Sequence, residues 1–180
     1  MQAFTKLVAE GVRLIITQNS NVSLPISPLA NSQHVIQLAV TTTSDRYSSP
    51  NDYTFRTNAS TRDEAIAQAG YIARRLKESP APVALVTMQD EYPVTLRGHL
   101  LSELEKHGVV LALNQDYLPQ ETDFRTLIAK IKSAKVQYVV FLGYQTQCGL
   151  FVKQAQELKL GAKSILSNTP VNNREFFEVA

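Results

Sequence analysis

The chain has 180 residues, of which 44% are hydrophobic and 19% are charged, and its formal net charge is +2. These values are typical of a globular protein and exclude a disordered or collagen-like chain. The weak, mixed charge argues against nucleic acid or an anionic membrane as a partner. The single cysteine, Cys148, excludes an internal disulfide and a cysteine-based metal site. No apolar run is long enough to span a membrane, and the first residues lack the pattern of a signal peptide.

Apolar strands alternate with amphipathic helices along most of the chain. A first helix is predicted over residues 3–10, and later helices follow Thr61 and Pro93 or include Phe124 and Phe151. Strands are predicted at 12–16, 35–40, 83–88, 109–113 and 136–142, and one more starts at about residue 163. Because these strands are apolar on both faces, the sequence predicts an α/β fold with a doubly wound parallel sheet, formed by residues 58–167.

Three glycines mark where predicted helices end. Gly11, Gly108 and Gly161 each stand between a predicted helix and the next strand, where a left-handed residue ends a helix.

The first third of the chain supplies only two strands before a polar loop at 41–52. Two parallel strands cannot bury both faces alone. We therefore expect this third to join the later sheet, to bind a partner, or to belong to something longer.

The sequence carries no recognisable catalytic or cofactor motif. Glycine-rich phosphate loops, the nucleophile elbow and the zinc-protease motif are all absent. His99 and His107 lie eight residues apart rather than at the i, i+4 spacing of a two-histidine metal site, and Cys148 has no histidine near it in sequence. We therefore expect a protein that is not an enzyme and that uses neither a cofactor nor a metal.

Polar residues follow the end of each predicted strand. These segments are 17–21, 41–45, 89–92, 143–146 and 167–169, and they contain hydroxyls, amides and phenols with few charges. In an open α/β sheet, ligands bind outside the carboxyl ends of the strands. Each segment alone is also what an ordinary turn or helix cap looks like. Five of them in series favour a crevice that binds a small polar ligand.

The order of these segments resembles the type I periplasmic solute-binding proteins, and within them the branched-chain amino-acid (leucine/isoleucine/valine) branch. The resemblance runs over essentially all 180 residues and rests on order and spacing rather than on a single motif. The matching segments are 10–16, 20–23 with 28–30, 41–44, 53–57, 90–92, 122–132, 143–144 and 153–161. Proteins of this family have two lobes, are roughly twice this length, and close on a ligand like a hinge.

The resemblance implies a division of the chain and a set of partners. Residues 1–57 correspond to part of the first lobe and to the crossover, which falls at 53–57, and residues 58–180 correspond to the second lobe. It also implies a small-molecule ligand such as an amino acid or carboxylate, membrane subunits of an ATP-driven importer, and a periplasmic or other extracytoplasmic location. A homodimer that completes the first lobe is one further arrangement.

The resemblance also implies which residues contact the ligand. The first lobe contributes Ser20, Asn21, Thr42 and Thr43, and the second lobe contributes Tyr92 and Tyr144. Amino-acid binders place an acid after the next strand to meet the ligand's ammonium group, and this position is Asn168 here. Because an amide cannot neutralise an ammonium ion, Asp90 is the candidate to replace that acid. We expect an uncharged or anionic ligand to compete well with an amino acid.

Three other functions are the alternatives. A ligand-sensing domain of a receptor or regulator uses the same lobes, and a fused membrane span or DNA-binding segment would distinguish it. A doubly wound enzyme needs a nucleophile with its base or a metal cluster, and neither is apparent in the sequence. A non-functional remnant would fit a chain that lacks parts of both lobes.

Overall fold

The computed structural model describes residues 1–180, which form two compact units, 1–64 and 65–180. The first unit contains α1 (Gln2–Ala9), β1 (Leu14–Thr17), α2 (Ser20–Ser32), β2 (Ile36–Ala39) and β3 (Thr54–Arg56). Helix α3 (Thr61–Glu78) begins in the first unit and continues into the second. The second unit then contains β4 (Val83–Met88), α4 (Glu91–Lys106), β5 (Leu111–Tyr117), α5 (Arg125–Ser133), β6 (Tyr138–Leu142), α6 (Gln145–Glu157), β7 (Ser164–Ser167), a 3₁₀ turn (Thr169–Val171) and α7 (Arg174–Val179).

The second unit contains the predicted parallel sheet. Its four strands are all parallel in the order β5-β4-β6-β7, and they begin at Val83, Leu111, Tyr138 and Ser164, close to the predicted starts. Every residue of β4 and β6 is buried. Alternate residues of these strands point to opposite faces. One face packs against α3 and α4, and the other packs against α5 and α6. The doubly wound α/β prediction is confirmed.

The first unit forms a separate sheet. Three parallel strands lie in the order β1-β2-β3, which excludes the first of the three alternatives, that this part joins the later sheet. The segment 53–57, expected to be the crossover, contains the third strand, with Phe55 in register with Leu38. The carboxylate of Asp52 accepts hydrogen bonds from the backbone N–H and the hydroxyl of Thr54, both at 2.8 Å, and so fixes the turn into β3.

Helix α2 was not predicted, because Pro25 and Pro28 lie inside it. A proline within a helix removes a backbone donor and usually bends or breaks the helix. Here the carbonyl of Leu24, which would accept from residue 28, accepts instead from the hydroxyl of Ser27 at 3.0 Å. The helix therefore continues through both prolines, and the side chain of Ser27 replaces one of the two lost hydrogen bonds.

The helix ends follow the predicted glycine rule at two of three places. Gly11 and Gly108 have positive φ angles of 91° and 68° and follow the cap residues of α1 and α4. After α6 the helix ends at a left-handed Lys159 (φ 51°), whose N–H donates to the carbonyl of Gln156, and Gly161, two residues further on, is also left-handed (φ 73°). The prediction for Gly161 is therefore right in conformation and wrong in position. The hydrogen bonds at the end of the helix hold a lysine in a conformation that usually favours glycine.

The first sheet has one covered face and one exposed apolar face. On the covered face Ile15 packs with Phe4, Ala30 and Val35 from the flanking helices and loops. The other face carries Leu14, Ile16, Ile36 and Phe55, which are between 42% and 62% exposed. The strand register places Leu14 beside Ile36, and Ile16 in the same row as Leu38 and Phe55. These residues therefore form one continuous patch rather than scattered exposed side chains.

Two adjacent isoleucines test this assignment of faces. We expect Ile15→Thr to lower the free energy of unfolding by about 1–3 kcal/mol, because it removes buried apolar contact and buries a hydroxyl. Ile16→Thr serves as the matched control and is expected to change stability by less than about 0.5 kcal/mol while reducing binding of an apolar dye such as ANS. Urea unfolding followed by circular dichroism measures the first effect. Equal destabilisation by both substitutions would contradict the assignment.

Candidate ligand-binding site

The order of strands in the second sheet creates a crevice beside β4. Strand β4 lies between β5 and β6, and the helices that follow β4 and β6 pack on opposite faces of the sheet. The loops that leave these two neighbouring strands therefore diverge. In open α/β sheets, the space outside the carboxyl ends of two such strands is where ligands bind.

The two diverging loops bring three of the predicted residues together. The hydroxyl of Tyr144, after β6, donates a hydrogen bond of 3.0 Å to the Oδ1 atom of Asp90, after β4. The ring of Tyr92 lies beside that of Tyr144, with 6.3 Å between the centroids. Burial, together with the neighbouring Asp90 carboxylate, raises the pKa of Tyr144 well above its usual value. Its hydroxyl is therefore protonated and donates at neutral pH.

These three side chains differ in how much surface they offer to a ligand. Tyr92 is only 3% exposed and packs in the core with Leu96 and Leu142. Tyr144 and Asp90 are partly exposed. Asp90 and Tyr144 therefore supply the accessible polar groups, and Tyr92 supports the ring of Tyr144 from the side of the core.

The first turns of two helices begin at the same crevice. Helix α4 starts directly after Asp90 and α6 directly after Tyr144, and neither of these residues caps its helix with its side chain. The backbone N–H groups of a first helical turn have no acceptor within the helix and carry a partial positive charge. The N–H groups of two such turns make this end of the sheet suited to a carboxylate.

A cavity of about 420 Å³ lies on the β5 side of the same loops. It is lined by Gln89, Asp90, Glu91, Val94, Arg97 and Asp116. Arg97 forms an ion pair with Asp116 across it. The wall is therefore polar, and its single guanidinium group is already engaged by a carboxylate.

In the first unit, the hydroxyl of Thr42 belongs to a buried hydrogen-bond network, and that of Ser20 binds backbone. The hydroxyl of Thr42 donates to that of Ser23 at 2.6 Å, and Ser20 accepts from the backbone N–H of Ser44 at 3.3 Å. Ser20, Thr42 and Thr43 are at most 6% exposed, whereas Asn21 is exposed. Most of these hydroxyls therefore bind other protein groups, and Asn21 is the most accessible of the four predicted residues.

Sequence reasoning missed the side chain that organises this network. The amide of Gln37, in β2, donates to the hydroxyl of Thr17 and to the carbonyl of Ser23, each at 3.1 Å. A glutamine inside an otherwise apolar strand was the available signal.

At the exposed rim, the hydroxyl of Thr41 bridges the backbone N–H and the side-chain oxygen of Asn19, both at 3.0 Å.

Asn168 is engaged by the backbone of the loop after β6. Its side-chain oxygen accepts from the N–H of Gly143 at 3.0 Å, and its side-chain nitrogen donates to the carbonyl of the same residue at 2.8 Å. It is 2% exposed. Both ends of this amide are therefore satisfied within the protein, next to the residue that precedes Tyr144.

Cys148 has the environment of a core thiol. It is 1% exposed, and its sulfur lies 3.3 Å from the hydroxyl oxygen of Ser167. Burial raises the pKa of this thiol to about 11. The thiolate, which is the reactive form, is therefore scarce at neutral pH.

Gly143 is packed too closely to carry a side chain. A Cβ atom there would overlap the hydroxyl of Tyr117 and lie 3.4 Å from the terminal methyl group of Met88. The same tyrosine hydroxyl donates to the carbonyl of Leu142 at 3.2 Å. The backbone at the end of β6 therefore depends on glycine at this position.

We expect Gly143→Ala to lower the free energy of unfolding by about 1–3 kcal/mol, because the new methyl group displaces Tyr117. In the double variant with Tyr117→Phe, the oxygen that overlaps the new methyl group is gone. The loss of unfolding free energy in the double variant is therefore expected to be smaller than the sum of the two single losses, by about 1 kcal/mol. Gly70→Ala in α3 meets open space and is the control, expected to be neutral or stabilising. Strict additivity in this cycle, measured by urea unfolding, would show that the overlap is not the cause.

Comparison with known proteins identifies the family. The sequence profile of the periplasmic binding proteins matches residues 1–173. The chain belongs to this family. Members with related sequences include the Leu/Ile/Val-binding protein BraC3 of Rhizobium johnstonii, 27% identical over 99% of this chain and 48% of that protein. Another is a Leu/Ile/Val-binding protein homolog of Brucella abortus, 29% identical over 93% of this chain and 45% of that protein.

Solved structures of the family show the same fold. The Streptococcus pneumoniae branched-chain amino-acid binding protein LivJ, in complex with isoleucine, aligns with a TM-score of 0.84 at 17% identity over 98% of this chain and 50% of that chain. A solute-binding protein from Rhodopseudomonas palustris, in complex with 3,4-dihydroxybenzoic acid, aligns with a TM-score of 0.76 at 20% identity. The alignment covers 92% of this chain and 46% of that chain. The chain thus spans about half the length of the relatives it matches. The predicted resemblance is confirmed.

Proposed function

We propose that this chain acts in solute binding and holds a small polar ligand, such as an amino acid or related carboxylate, at the crevice beside β4. The observation that carries the proposal is the hydrogen-bonded pair of Tyr144 and Asp90 at the diverging loops, where α4 and α6 also begin. Ligands of doubly wound sheets bind at such a point. Membership of the periplasmic binding protein family supports the same role.

The chemistry of the crevice favours a ligand with a carboxylate. The backbone N–H groups in the first turns of two helices are donors, and they complement negative charge. The ligands named for the related structures, isoleucine and 3,4-dihydroxybenzoic acid, share only a carboxylate as their charged group. Asp90 is the group that would meet an ammonium ion, since Asn168 is neutral and bound to Gly143. The contacts of Ser20, Asn21, Thr42 and Thr43 with a ligand stay a prediction.

The setting of this function is also a proposal. Related proteins are named as components of amino-acid ABC transporters, which supports delivery of the solute to an ATP-driven importer and an extracytoplasmic location. No helix in the structure is long and apolar enough to cross a membrane. A homodimer that completes the first lobe stays a prediction.

A titration by NMR with three compounds tests the ligand class. We expect leucine, its 2-keto acid and 3,4-dihydroxybenzoate to bind with a Kd of about 1 mM or weaker, because this chain holds only half of a hinge protein. Because Asn168 carries no charge, the keto acid is expected to bind within about tenfold of leucine.

A pair of tyrosine variants locates the site. Tyr144→Phe removes the hydroxyl that binds Asp90 and is expected to weaken ligand binding about fivefold. Tyr53→Phe in the first unit serves as the control with unchanged affinity. Absence of binding for all three compounds would overturn the proposal. Micromolar leucine binding that Tyr144→Phe leaves intact would contradict both the site and the expected weakness.

A further inference from the structure

The backbone at the end of β6 is held by side chains from its neighbours at three successive residues. Ser167 donates from its hydroxyl to the carbonyl of Phe141 at 2.7 Å, and Tyr117 donates to the carbonyl of Leu142 at 3.2 Å. The amide of Asn168 then binds both the N–H and the carbonyl of Gly143. Each carbonyl along this stretch therefore accepts from a side chain at the point where the strand leaves the sheet.

Asn168 continues the pairing of two strands beyond their last residues. The ladder between β6 and β7 ends with Phe141 opposite Ser167. A side-chain amide has the same donor and acceptor as a peptide group, so Asn168 pairs with Gly143 as a further strand residue would. The pair is buried, and a buried backbone group left without a partner would cost about 1–3 kcal/mol.

The residue that follows this fixed point is Tyr144. It is the cap residue of α6, with an extended backbone (φ −101°, ψ 173°), and its hydroxyl reaches Asp90 across the crevice at 3.0 Å. Gly143 cannot move toward Tyr117, because the tyrosine hydroxyl already occupies that side. The position of the Gly143 peptide therefore determines where the Tyr144 side chain starts.

We propose that Asn168 is a positioning residue, which holds the Tyr144 hydroxyl on Asp90 through its two hydrogen bonds to Gly143. Its role is then to organise a ligand-facing side chain in advance, rather than to contact the ligand. The relevance to ligand binding rests on the proposed function, whereas the positioning itself is a property of the free protein and is testable without any ligand.

Fluorine NMR of the full chain labelled with 3-fluorotyrosine tests this role. The Tyr144 resonance is assigned by its loss in Tyr144→Phe, and Asp90→Asn shows the shift that follows when the carboxylate acceptor is replaced. Asn168→Ala is expected to move the Tyr144 resonance by about half or more of that shift. The loop after β6 is then no longer held at Gly143, which weakens the hydrogen bond from Tyr144 to Asp90. The resonances of Tyr47 and Tyr53, which belong to the first unit, are expected to stay in place.

Asn173 offers a matched control. Its side chain also makes two hydrogen bonds to backbone, donating to the carbonyl of Pro170 at 3.0 Å and accepting from the N–H of Phe176 at 3.1 Å. Asn173→Ala therefore removes the same kind of contact without touching Gly143, and we expect it to leave the Tyr144 resonance unchanged. Asn168→Asp keeps an acceptor for the Gly143 N–H but loses the donor, and it provides a second variant if Asn168→Ala does not fold.

The outcomes separate this proposal from the proposed function. A folded Asn168→Ala or Asn168→Asp variant with an unchanged Tyr144 resonance would overturn the positioning role, as would an equal shift in Asn173→Ala. If the expected shifts appear but none of the three compounds binds the unmodified chain, the positioning role stands and the proposed function fails.

Discussion

A parallel sheet needs apolar cover on both faces, and in the second unit this requirement determines both the architecture and the site. Strands β4 and β6 are buried along their whole length, so helices must pack on both sides of them. The chain meets this need by placing α3 and α4 on one face and α5 and α6 on the other. The loops after β4 and β6 then diverge, and the space between them is the crevice that Asp90 and Tyr144 bridge.

Where these loops diverge, their backbone N–H and C=O groups no longer have partners in the sheet. Side chains provide the hydrogen bonds instead. Tyr117 and Asn168 bind the backbone of Leu142 and Gly143 where β6 ends. In the first unit, the side chains of Gln37 and Ser23 bind the hydroxyl of Thr17 at the end of β1, and Ser23 also accepts from Thr42 after β2. In both units, buried polar side chains fix the geometry of loops from which the more exposed polar groups project.

The sequence predicts the second sheet well, because its strands are apolar on both faces and the helices between them have clear periodicity. It also indicates which strand ends carry polar groups, and three of these residues, Asp90, Tyr92 and Tyr144, do lie together. It fails where tertiary contacts override local preference. Two prolines conceal α2, and β3 has only three residues, too few for a periodic pattern. Nothing local distinguishes the amide of Asn168, which binds backbone, from one that faces solvent.

The proposed function requires a ligand to bind at the carboxyl ends of β4 and β6. The most direct test maps backbone amide shifts of the isotopically labelled chain during addition of leucine. We expect the largest changes at residues 89–92 and 143–146, and none at 107–110, which precede β5 at the opposite end of the sheet. Changes confined to 107–110, or spread evenly over the chain, would contradict it.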